Sequence, residues 1–199
     1  MSPSLTLAID TSSAHGSVAL GTGDHAVGGA AFHGAQRHST TLFPALAELD
    51  LPRQPLGRIV VGLGPGSFSG IRVALAAAQG LALPGNLPVV GICSAWSVAR
   101  QLSHVSRLGV FADARRGEYY CTVYAHGALE RATYLIPREK AEEEASKMTL
   151  AVSADPLPFI PGQCAPRAAD FLALAEDAPE LVRAVFPGVL EPIYLREAV

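Results

Sequence analysis

Cysteine is scarce in this chain. The three present, at positions 93, 121 and 164, are too few and too widely spaced to frame a disulfide scaffold or a zinc pattern. They are expected as buried thiols in a reducing compartment. Concentrated positive charge is missing as well. Lys and Arg total 15 against 18 Asp and Glu, the formal charge is −3, and Arg115-Arg116 is the only basic doublet. A protein that holds nucleic acid unaided carries a basic patch that neutralises phosphates, so this chain is not expected to do so alone. There is no long apolar run at the start, where Asp10 follows five mostly apolar residues. Neither a signal peptide nor a membrane span is expected, which points to the cytoplasm. Six histidines occur, at 15, 25, 33, 38, 104 and 126. No two are four apart, so no helical face presents two imidazoles to a metal, and no metal or cofactor site is expected. A Gly-x-Ser-x-Gly elbow is absent too, which leaves nucleophilic hydrolysis without a motif.

What remains is globular. The chain has 199 residues, 49% apolar and 17% charged, enough for a sizeable core. Leu5 to Thr11, Ser17 to Leu20 and Ala26 to Phe32 read as strands joined by short Gly-containing turns, the pattern of an antiparallel meander. From Ser39 to Leu49 the period changes to helical, with Leu42, Phe43 and Leu46 on one side. Pro44 requires a late start or a bend there. Arg58 to Leu63 is nearly continuously apolar, as suits a strand buried on both faces. An Ala-rich helix (71–83), a strand (88–92) and a further helix (95–102) follow. The order β-β-β-α-β-α-β-α predicts a ribonuclease-H-like α/β lobe with a mixed sheet over 1–103. A smaller, more polar α/β lobe is expected over 104–199. It has strands at 108–112, 118–124, 131–136 and 150–152, and helices at 139–147 and 168–176.

Two segments have the residue types for chemistry. Asp10-Thr11-Ser12-Ser13 ends the first strand. A carboxylate followed by hydroxyls can face a metal–phosphate ligand, or can satisfy the backbone donors of its own turn. Gly64-Pro65-Gly66-Ser67-Phe68-Ser69-Gly70 joins a strand to a helix. Its glycines permit close backbone approach to phosphate, or simply a rigid turn. It is not a Walker A loop, because Ile71 and Arg72 stand where Lys and Ser or Thr are needed. The helix that follows carries Ala74, Ala76, Ala77, Ala78 and Ala82 among Val73, Leu75, Leu81 and Leu83. A helix apolar nearly all round is either wholly buried or at an interface.

Taken in order, Leu-Ala-Ile-Asp-Thr-Ser-Ser (7–13), His38-Ser39 with Leu42 and Pro44, Gly-Pro-Gly-Ser-Phe-Ser-Gly-Ile-Arg (64–72), Gln-Gly-Leu-Ala (79–82), Asp-Ala-Arg-Arg (113–116) and Pro-Ile-Tyr-Leu-Arg (192–196) resemble the TsaB (YeaZ) family across almost the whole chain. The sequence departs from the family pattern at Ser69, where Thr is usual, and at Ala74, where Gly is usual. Thr40 stands where Glu is common, which removes a helix-cap interaction. The resemblance implies an actin-like, two-lobed ribonuclease-H-like fold. It implies a non-catalytic subunit for threonylcarbamoyladenosine synthesis on tRNA, binding the catalytic subunit TsaD together with the ATPase TsaE and meeting tRNA only through the complex. Alone, such proteins pair as homodimers through the same surface. Carried over, that surface would use Leu42, Phe43, Leu46, Val73, Ala74, Ala77 and Leu81. The family's motif loops correspond to Asp10, Thr11, Ser12, Gly64, Pro65, Gly66, Ser67, Phe68, Gly70, Arg72, Asp113 and Arg115. The competing expectation is an actin-like phosphotransferase or metal-dependent hydrolase acting alone, with Asp10 and the 64–70 loop on phosphate.

Overall fold

A computed structural model describes residues 4–33, 38–177, 182–185, 190–193 and 195. Tyr194 and Arg196 of the last motif lie outside them.

Strands β1 (Leu5–Asp10), β2 (His15–Thr22) and β3 (His25–His33) form the expected meander. Strand β4 (Leu56–Gly62) pairs parallel with β1, and β5 (Val89–Ile92) pairs parallel with β4. The edge beyond β5 is closed by β11 (Val182–Val185), antiparallel, giving the order β11-β5-β4-β1-β2-β3. Between the strands run α1 (His38–Ala47), α2 (Phe68–Ala82) and α3 (Ala95–Gln101). The second sheet contains β6 (Leu108–Arg115), β7 (Glu118–Ala125), β8 (Ala128–Pro137), β9 (Leu150–Ser153) and β10 (Gly162–Gln163), in the order β10-β9-β6-β7-β8. Helix α4 (Arg138–Ser146) packs on that sheet. The molecule is thus the two-lobed α/β arrangement expected.

Side-chain alternation sets which helix covers which face. Leu7 and Ile9 of β1, Val18 and Leu20 of β2, and Ile59 and Val61 of β4 point to one side, where they share a core with Leu42, Leu46, Ala74 and Ala78 of α1 and α2. Ala8, Ala19 and Val60 point to the other side and meet Phe171 and Leu172 of α5 (Ala168–Asp177). The two small side chains, Ala8 and Ala19, leave room for the Phe171 ring. The near-continuous apolar run of β4 follows from burial on both faces. Helix α5 and strand β11 lie far along the chain, past the change of composition near Ser103, yet both complete the first sheet. The α5 N-terminus is fixed there by Ala168 N–H donating to Ser17 Oγ and Arg167 N–H donating to Ser97 Oγ.

Pro44 lies inside α1 as its seventh residue, because the helix starts at His38. The helix accepts the missing donor and stops soon afterwards. Leu49 and Asp50 close it with i→i−3 bonds, and Asp50 adopts a left-handed φ of 45°. Among the described residues no helix is long and apolar enough to cross a membrane.

Leu42 is fully buried where α1 meets the sheet. Truncation to Ala removes packing that the surrounding strands cannot restore. Leu42→Ala is expected to lower the unfolding free energy by about 2–5 kcal/mol, read as a lower urea midpoint at unchanged slope.

Candidate functional site

The two chemistry-bearing segments meet. Asp10, the last residue of β1, is fully buried. Its Oδ1 accepts from Ser12 N–H (3.0 Å) and Ser12 Oγ (2.7 Å), and its Oδ2 accepts from Ser94 Oγ (2.6 Å). Ser94 Oγ in turn accepts from Gly64 N–H at 3.0 Å, and Ser94 N–H donates to the Gly64 carbonyl at 2.8 Å. The joint thus links the ends of β1, β4 and β5 through one carboxylate. It leaves no space for a side chain at Gly62, where a Cβ would stand 1.9 Å from Asp10 Oδ2. Burial pushes the Asp10 carboxyl above its ordinary value of 3.8, and the bonds from Ser94 and Ser12 act against that rise.

The 64–70 loop wraps over the turn that follows Asp10. Ser67 N–H donates to Ser12 O at 2.6 Å, and Thr11 Oγ1 donates to Gly70 O at 2.7 Å. Gly66 is a necessity here, since a Cβ on it would lie 2.0 Å from Ser12 O. Ser67 caps α2, its side chain accepting from Gly70 N–H. Pro65 follows a cis peptide bond.

Outside this joint, a cleft of about 680 Å³ opens between the two sheets. Ser12, Phe68 and Arg72 line one wall, while Asp113, Arg115 and Tyr120 line the opposite one. Arg72 stacks 4.0 Å above the Phe68 ring. Asp113 Oδ1 accepts from Arg115 N–H at 2.7 Å, and its Oδ2 pairs with Arg115 Nη1 at 3.0 Å, holding the β6–β7 turn. Ser153 Oγ, buried at the cleft's edge, has no hydrogen-bond partner. Among the described residues no three His, Cys, Asp or Glu side chains gather as a metal site.

The structure therefore brings Asp10, Thr11, Ser12, Gly64, Pro65, Gly66, Ser67 and Gly70 into one rigid joint, and places Phe68, Arg72, Asp113 and Arg115 around the cleft. The seven residues expected at a partner surface divide, and four of them need correcting. Leu42, Leu46, Ala74 and Ala77 are buried against the sheet, so they are core residues. Val73 and Leu81 are half-buried, and Phe43 is 55% exposed. Sequence reasoning missed Ser94, the acceptor and donor that closes the joint, because its partners lie 30 and 84 residues away. Gly62 was a readable signal, since a glycine inside an otherwise apolar strand marks a close approach.

Removal of the carboxylate leaves three buried donors without acceptors. Asp10→Ala is expected to destabilise the fold by about 3 kcal/mol or more, measured by urea denaturation. A carboxyl whose folded pKa is raised binds its proton more tightly folded than unfolded. Its contribution to stability is therefore largest below 3.8 and is lost as the pH rises through the raised value. The difference in unfolding free energy between wild type and Asp10→Asn should accordingly fall as the pH rises from about 4 towards 7.

Comparison with known proteins identifies the family. The family described as "TsaD: tRNA N6-adenosine threonylcarbamoyltransferase" matches over residues 30–148. A Bacillus subtilis (strain 168) protein described as "tRNA threonylcarbamoyladenosine biosynthesis protein TsaB" is 33% identical over 132 residues, 63% of this chain. That match spans 58% of the Bacillus protein, under two thirds of its length. "Uncharacterized protein Rv3421c" of Mycobacterium tuberculosis (strain ATCC 25618 / H37Rv) is 31% identical over 172 residues, covering 81% of this chain and 74% of that one. Among solved structures, a Pseudomonas aeruginosa protein "with similarity to peptidase YEAZ" superposes with a TM-score of 0.76 at 26% identity, over 98% of this chain and 100% of that one. "YeaZ from Pseudomonas aeruginosa" superposes at 0.68, also at 26% identity, over 87% and 91%. With its two sheets and these relatives, the chain belongs to the TsaB (YeaZ) family, with that family's actin-like fold.

Proposed function

We propose that this chain is a non-catalytic subunit in tRNA threonylcarbamoyladenosine synthesis. It docks on TsaD, the subunit that transfers threonylcarbamoyl to adenosine 37, and activates it together with TsaE in the cytoplasm. The observation that carries the reading is the outer face of α1 and α2. Phe43 and Leu83 are 55% and 69% exposed, with Pro44 and Ala47 on α1 and Ala76 and Gly80 on α2 also outward. A Cβ on Gly80 would meet nothing within 4 Å. No contact inside the chain therefore needs a glycine at that mid-helix position, where it costs about 1 kcal/mol relative to Ala. A partner backbone approaching closely does need it. The lobe over residues 1–103 carries this face, and in the absence of TsaD a second copy takes the same place as a homodimer.

Two further observations support the reading. The Bacillus relative is named for threonylcarbamoyladenosine biosynthesis. The net charge of −3 suits a subunit that meets tRNA through the complex rather than by itself. The competing enzyme reading needs Asp10 free to reach a metal–phosphate ligand. All the bonds to that carboxylate come from Ser12 and Ser94, and this weighs against it.

The test is product formation on tRNA with TsaD, TsaE, ATP and threonylcarbamoyl-adenylate, with and without this chain, beside co-elution with TsaD. Dependence on the chain is expected, and undiminished product without it would overturn the reading. Leu46 and Ala77 are unsuitable probes, because a charge there disrupts the core. Gly80→Leu is the clean variant. It should keep or raise the melting temperature, yet weaken TsaD binding and product formation by about tenfold or more.

A further inference from the structure

On the β2–β3 ribbon, His15 and His33 are direct cross-strand partners. Their Nδ1 atoms stand 3.4 Å apart, with ring centroids 4.6 Å apart and planes tilted by 58°. Two nitrogen ligands at about 2.0–2.1 Å from a tetrahedral ion are themselves about 3.3–3.4 Å apart. The pair therefore already has the edge length of a metal's coordination shell. We propose that His15 and His33 form a bidentate site for a borderline divalent transition ion, such as zinc, nickel or copper, held through both Nδ1 atoms.

The backbone supports this geometry. His15 is pinned by Ser13, whose Oγ donates to His15 O at 3.1 Å and accepts from His15 N–H at 3.2 Å. One residue on, Gly16 lets the Phe32 ring cross the opposite face of the ribbon, since a Cβ there would lie 2.2 Å from the ring. The strands are thus held in a register that places both imidazoles on one face, where directly opposed side chains reach each other. Imidazole nitrogen suits these ions, whereas magnesium and calcium favour oxygen donors. Both histidines open onto a hollow of about 510 Å³ that Gln101, Gln163 and Cys164 also line. Waters or a donor from outside the chain complete the shell there. The proposal does not depend on the docking face.

The probe is zinc chloride, titrated calorimetrically into the full chain in a non-coordinating buffer. Two ligands of the four in a structural zinc site predict a dissociation constant on the order of 1–100 µM. His15→Ala and His33→Ala should each weaken it by about tenfold or more, while His104→Ala leaves it unchanged. With copper(II), electron paramagnetic resonance should show two equatorial nitrogens in the wild type and fewer in either variant. Both histidines are exposed, so equal melting temperatures will certify the variants as folded. A proton shared between the two rings gives the same separation without a metal. Absence of binding up to about 1 mM, or binding indifferent to His33→Ala, would overturn the proposal.

Discussion

A single buried carboxylate organises the centre of this molecule. Asp10 has lost all contact with water, and a charge in that position is tolerated only when donors surround it. Ser12 supplies two, from its own turn, and Ser94 supplies a third from the junction between β5 and α3. Because Ser94 also holds Gly64 through two bonds, the ends of β1, β4 and β5 cannot shift independently. The 64–70 loop inherits its path from this joint, and α2 inherits its starting point from the loop. The carboxylate faces its own chain.

With the carboxylate turned inward, the surface proposed for docking lies elsewhere. Helices α1 and α2 each spend one side on the sheet and present the other outward. At about 100° per residue, Ala76 and Ala77 are neighbours in sequence yet point nearly at right angles, Ala77 buried and Ala76 exposed. A run of alanines conceals this division, since every member reads as apolar whichever way it points. Composition left the helix either wholly buried or at an interface, and only the burial pattern separates the residues that form the core from those left exposed.

Legibility in the sequence followed the range of the interaction. The meander, the doubly buried β4 and the loop–helix junction are local patterns, and period and glycine placement made them readable. What could not be read depends on the chain returning to itself. Helix α5 carries an apolar stripe that fits either sheet, and nothing local says that Ala8 and Ala19 on the first sheet have left a recess for Phe171. Strand β11 is four residues long and finds its place only because β5 offers an unpaired edge. Ser94 reads as an ordinary helix-start residue until Asp10 is set beside it. His15 and His33 are 18 residues apart, and helical spacing rules are blind to a pair made by strand register.

The same alternation that assigns the helices also separates the two candidate surfaces. His15, Ser17 and Ala19 share a face of β2, and Ser17 and Ala19 on that face meet α5. Val18 and Leu20 point the opposite way, into the core beneath α1 and α2. An ion on the histidine pair and a protein on the α1–α2 face would therefore occupy opposite sides of one sheet. Coupling between them would have to pass through the strands, whose central residues are close-packed on both faces and held by the Asp10 joint. A rigid sheet transmits little from such a site unless a strand changes register, and a one-residue slip of β2 would turn its buried face to solvent. The geometry thus favours two independent surfaces, one for assembly and one for an ion, over a single metal-controlled docking site.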